Sequence, residues 1–132
     1  MKEALAVMAG GAVGSLARWL VSEWIAALAW AAYFPFGTLL VNIVGSFGVG
    51  VFSELLLEGG LWNPGTGLRA LIFAGFFGGF TTFSSFSLQT LALLRSGQVL
   101  LGGMNIMTSV VLCLGAVWFG AMATHWLVSF VK

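Results

Sequence analysis

Four long apolar stretches with little between them constrain this chain more than any other feature. They cover residues 5–30, 37–57, 68–94 and 99–131. A helix needs about 20 predominantly apolar residues to cross the hydrocarbon of a bilayer, and each stretch supplies them. The stretches are separated by turn signals rich in proline, glycine and asparagine: "YFPFG", "EGGLWNPGTG" and "RSGQ". Charge points the same way. Only 7% of the residues are Asp, Glu, Lys or Arg, against about 25% in a soluble domain. Too few charges are present to cover a water-facing surface. The chain reads as an all-α membrane protein of four transmembrane helices, with residues 1–132 forming one domain. The first stretch is too long for a cleavable signal peptide and lacks a small-residue cleavage site, so it counts as a span.

The same inventory excludes several classes of function. The formal net charge of +1 suggests no nucleic-acid partner. A single cysteine, Cys113, cannot close an internal disulfide and offers no metal-site spacing. The one histidine, His125, falls near the last membrane exit and reads as interfacial. No nucleophilic, metal or acid–base motif is present, so the chain is not expected to be an enzyme. The positive charges set a weak orientation. Lys2, Arg69 and Lys132 fall on one side and Arg95 on the other, while Arg18 lies within or near the end of the first span. A bias this thin leaves both insertions open.

The third span holds the most unusual string, "GFFGGFTTFSSFS", from Gly75 to Ser87. Phe77, Phe80, Phe83 and Phe86 recur every third residue, so neighbours share a helix face. Gly78 and Gly79 interrupt the row, and glycine weakens a helix interior. A break inside a membrane frees carbonyls that lipid cannot satisfy. It survives only where protein buries it or water reaches it, and freed carbonyls at such a break can coordinate ions. The plainer reading is a small-residue packing face, Gly75-x-x-x-Gly79, with the hydroxyls bonded back to the helix. The phenylalanines bear on the choice. A ring edge carries partial positive charge and attracts an anion without burying a full charge, which suits the weak, multi-site binding that conduction needs.

Two further stripes support a lined path. Thr38, Asn42 and Ser46 are spaced four apart on the second span, and Asn105, Ser109 and Cys113 on the fourth. Asn42 carries two N–H donors able to face an anion. Interhelical hydrogen bonding is the ordinary use of such residues in membranes. Arg18 is a charge within an apolar segment, which marks a functional site by default unless the side chain snorkels to the interface.

Taken together, "GGAVGSLARW", "GTLLVNIVGSF" and "GFFGGFTTFSSFS" resemble the Fluc (CrcB) family of fluoride channels. The resemblance covers nearly the whole chain and is looser in the fourth span. It implies four-helix subunits paired as antiparallel, dual-topology homodimers in the cell (inner) membrane, passing fluoride passively through two pores. It implies a third helix broken near the membrane midplane, with a structural sodium ion on the two-fold axis held by the backbone carbonyls of Gly78 and Thr81 from both subunits. The fluoride pathway would use Phe83, Phe86, Asn42 and Thr38, a fourth-span track of Asn105, Ser109 and Cys113, and Arg18. Two positions depart from the family pattern. Cys113 stands where serine is common, and Gln89 where several members have glutamate.

The alternatives are a small multidrug-type four-helix antiporter and a non-transporting subunit held by glycine faces. A proton-coupled antiporter of cations needs a titratable carboxylate inside the membrane. Glu3, Glu23, Glu54 and Glu58 all fall at or near span ends, Glu54 the least clearly so.

Overall fold

A computed structural model describes residues 1–28, 33–56, 62 and 64–130. Lys132, Glu58 and half of the "EGGLWNPGTG" turn lie outside the described residues. The architecture is all-helical. Among the described residues, four helices are long and apolar enough to cross a membrane: α1 (Lys2–Ala26), α2 (Phe36–Leu56), α3 (Thr66–Arg95) and α4 (Val99–Ser129). The sequence places the first span too late: α1 starts near the N-terminus and ends at Ala26.

The turns explain where the helices stop. Pro35 stands immediately before α2, and its carbonyl accepts the N–H of Leu39 at 3.1 Å. Proline's missing donor is harmless there, because the first N–H groups of a helix have no internal partner. Between α3 and α4 the chain reverses within "RSGQ". Gly97 has φ 77°, a left-handed geometry that glycine adopts freely. The Gln98 N–H reaches Leu93 O at 2.9 Å and the Gly97 N–H reaches Leu94 O at 3.1 Å. This paired pattern satisfies carbonyls that the helix end would otherwise strand.

The helices pair alternately rather than consecutively. α1 packs mainly on α3, and α2 on α4. Both pairings rest on glycine. A Cβ on Gly79 would come within 2.7 Å of Gly11 O, and one on Gly10 would strike the carbonyl of Leu71. On the other pair, a Cβ on Gly50 would strike Val117 O and one on Gly120 would strike Phe47 O. Backbone meets backbone at these contacts, the close approach that small residues permit between membrane helices. The packing-face reading of Gly75 and Gly79 is therefore realised, against α1. The outward surface stays apolar, with Trp19, Trp24, Trp118 and Trp126 all exposed.

α3 departs from regular geometry twice. Residues Ala70–Phe77 form wider π-helical turns, a feature often seen at functional sites. Then Thr81 (φ −82°, ψ 157°) and Thr82 (φ −151°, ψ 108°) are extended, before helical geometry resumes at Phe83. The sequence points to Gly78 and Gly79 as the interruption. That placement is corrected: Gly78 is helical at φ −63° and ψ −35°, and the residues that leave the helix are the two threonines.

Candidate functional site

The geometry at Thr81 and Thr82 is held by side chains. The amide of Asn42 on α2 pairs with both main-chain groups of Thr82. Its Oδ1 accepts the Thr82 N–H at 2.8 Å, and its Nδ2 donates to Thr82 O at 3.1 Å. The Thr82 hydroxyl then caps the second half of α3 by accepting the Ser85 N–H at 3.1 Å, as an N-cap residue does. It also meets Ser85 Oγ at 3.0 Å and Ser84 Oγ at 3.2 Å. Below this point, Phe77 O accepts both the N–H and the hydroxyl of Thr81.

These bonds divert two donors. In a regular α-helix the Thr82 N–H would serve Gly78 O, and the Ser85 N–H would serve Thr81 O. Here the first goes to Asn42 and the second to the Thr82 side chain.

Beside the extended residues lies a cleft of about 440 Å³. α2 contributes Asn42 and Ser46, α3 contributes Thr82, Phe83 and Phe86, and α4 contributes Ser109 and Cys113. Among the described residues, no carboxylate, lysine or arginine lines it. The Phe83 and Phe86 rings lie 5.2 Å apart at 47°. Phe86 is buried, while Phe83 is 77% exposed in the single chain. The row of four phenylalanines is thus divided at the threonines. Phe77 and Phe80 are core residues, Phe77 beside Phe52 and Phe80 stacked on Phe76.

The other residues named from the sequence sit elsewhere. Thr38 is buried one turn before Asn42 and borders a second cavity of about 590 Å³, with Gln89 and Glu23. Asn105 is 2% exposed and donates to Thr90 Oγ1 at 2.8 Å. It does not border the cleft as Ser109 and Cys113 do. Arg18 is half-buried in α1 and lines neither cavity. Glu54 and His125 meet at 3.2 Å at the far ends of α2 and α4.

Sequence reasoning missed Thr82 and Thr90. A Thr followed by a helix is an N-cap signal, but a run of apolar spans hides a helix start inside a span. Nothing in the sequence singles out Thr90.

The fold and this cleft define a class: a small multi-pass membrane protein, with a cleft of hydroxyls, one amide and aromatic rings between apolar helices. A family model described as "CrcB-like protein, Camphor Resistance (CrcB)" matches residues 5–121, and the chain belongs to that family. Among its relatives is a protein of Opitutus terrae, 48% identical over 90% of this chain and 89% of its own length. One of Rhizobium etli is 47% identical over 91% of this chain and 94% of its own. One of Methylobacterium radiotolerans is 46% identical over 91% and 83%. Each of the three is named "Fluoride-specific ion channel FluC". An ion-channel family is consistent with a protein that is not an enzyme, and these relatives give no support to the antiporter alternative.

Proposed function

We propose that this protein is a passive fluoride-selective channel that lets fluoride leave the cell across the cell membrane and so relieves fluoride toxicity. One observation carries the reading. Asn42, Phe83, Phe86, Ser109 and Cys113 border a single cleft that, among the described residues, no carboxylate lines, and relatives of nearly equal length carry the fluoride-channel name.

The residues present suit a small anion. Ring edges offer partial positive charge, and hydroxyls, a thiol and an amide offer donors. None binds so strongly that the ion could not leave, as conduction requires. The Ser109 and Cys113 positions on α4 give stepwise donors one turn apart. Asn42 spends one of its two N–H donors on Thr82 O, so one remains for the ion. Thr38, one turn earlier, extends the polar line toward the second cavity. Arg18 adds a positive charge from α1. Among the described residues, no carboxylate sits at midspan to serve the antiporter reading: Glu54 meets His125 at the ends of α2 and α4, and Glu3 and Glu23 lie in the first and last turns of α1.

The assembly proposed is an antiparallel, dual-topology homodimer, with the extended residues of α3 forming a break near the membrane midplane. The exposed Phe83 ring supports a partner covering this face. Gly78 and Thr81 would hold a structural sodium ion through their carbonyl oxygens, two from each subunit. The residues fit that role, because the regular helical donors of both carbonyls go to other partners. A bound sodium would supply a fixed positive charge near the pores. Asn42 and Thr82 would keep both carbonyls available, which otherwise would be costly in lipid.

The test is fluoride efflux from liposomes containing only this protein, with chloride as comparison and no proton or sodium gradient. Fluoride should flow and chloride should not. Strict dependence on a proton gradient would overturn the channel reading.

A further inference from the structure

Asn105 and Thr90 form a buried relay that ends on the main chain of Phe86. Asn105 Nδ2 donates to Thr90 Oγ1 at 2.8 Å, and Thr90 Oγ1 donates to Phe86 O at 2.8 Å. The direction is fixed by chemistry. A threonine hydroxyl has one proton; Thr90 gives it to the carbonyl, so it receives from Asn105. All three residues are buried: Asn105 at 2%, Thr90 at 7% and Phe86 at 8% exposure.

We infer that Asn105 and Thr90 are positioning residues, which lock α4 against the second half of α3 and so set the Phe86 ring opposite Ser109. The inference rests on the channel reading above but gives Asn105 a different task from contact with the ion. Three observations support it. Asn105 does not border the cleft, while its neighbours one and two turns on, Ser109 and Cys113, do. Fixing the rotation of α4 at Asn105 therefore fixes where those two donors point. A side-chain hydroxyl bonded to the carbonyl four residues back also tilts the local helix, here at the residue that carries the ring. Finally, Phe83 is largely exposed while Phe86 is not, so Phe86 is the ring whose place the protein itself determines.

The experiment uses full-length protein in liposomes, counting only chains that elute as one monodisperse species. Wild type, Thr90→Val, Thr90→Ser, Asn105→Leu and the double variant Thr90→Val/Asn105→Leu are compared for fluoride and chloride efflux. Thr90→Val should lower fluoride efflux roughly tenfold, the scale of one buried donor left without a partner, and should slacken chloride exclusion. Thr90→Ser keeps the hydroxyl and should restore both. The double variant removes both partners and should regain stability yet stay slow and less selective, no worse than either single change. Three results would overturn the assignment: wild-type efflux and selectivity in Thr90→Val; full recovery of efflux in the double variant; or a further loss when Asn105→Leu is added to Thr90→Val, which would make Asn105 a direct ligand of the ion. A wild-type protein that passes no fluoride would instead sink the channel reading itself.

Discussion

Asn42 bonds to the main chain of Thr82 twice, accepting its N–H at 2.8 Å and donating to its carbonyl at 3.1 Å. A side-chain amide here takes the place of a neighbouring strand. It satisfies a pair of peptide groups that have left the helix, in a segment where water is scarce.

Replacing Asn42 separates its two tasks. Asn42→Asp still accepts the Thr82 N–H but sets an acceptor against the Thr82 carbonyl. Asn42→Leu leaves both groups without a partner, at about 1–3 kcal/mol each. Both variants should lose fluoride efflux, and the leucine variant should also lower the thermal midpoint of the purified protein. A leucine variant of wild-type stability would show that the pairing with Thr82 contributes little.

Phe83→Ile and Phe86→Ile should each reduce fluoride efflux sharply while the protein still assembles. Isoleucine keeps apolar bulk but has no positive edge. Phe83 gives the cleaner result, since its ring is mostly outside the packed interior of the single chain. Unchanged efflux in both would reduce the rings to packing.

Glycines at the helix contacts should not tolerate a methyl group. Gly50→Ala would press into Val117 O, a backbone atom that cannot swing aside. Overpacking of this kind costs about 1–3 kcal/mol. Gly103→Ala and Gly115→Ala meet nothing nearby and should gain helix propensity of up to about 1 kcal/mol. Thermal midpoints of the three variants check this. Equal midpoints would mean that α2 and α4 adjust freely.

Orientation offers a test of the proposed antiparallel pair. Lys2 and Arg69 share one end of the molecule, where Glu3 accepts a hydrogen bond from Thr66 at 2.6 Å; Arg95 marks the other. Extra lysines after Lys132 should force one insertion, because added C-terminal charge can flip a topology, and abolish fluoride export in cells. Lysines around Gln98 with Lys132 neutralised should force the opposite insertion, with the same loss. Co-expression should restore export. Normal export from either variant alone, with reporters confirming one orientation, would rule out the antiparallel arrangement.

The helices were legible in the sequence because hydropathy is summed over many residues, and α2 and α4 begin within a residue of where the apolar runs do. Gly97 was legible as a turn because one residue type suits its φ. The irregular point in α3 was not correctly placed. Glycine only permits a departure from the helix; what fixes it at Thr81 and Thr82 is an amide 40 residues away, and a long-range bond leaves no local mark. In the same way Asn42 and Ser46 read as one face of α2, and Ser109 and Cys113 as one face of α4, because spacing of four encodes a face; all four border the cleft. Asn105 shares the spacing, but its burial against Thr90 depends on how α4 meets α3.

The alternate pairing of α1 with α3 and α2 with α4 also has a temporal side. A chain is made from its N-terminus, so α1 and α2 enter the bilayer before either has its main partner. Each then carries an open glycine seam. α1 can close only when α3 arrives, and α2 waits longer still, for the last helix to be made. A chain cut short after Leu56 leaves two helices with bare seams, able to pair with any small-residue face in the membrane. Such a fragment should be short-lived next to the finished chain.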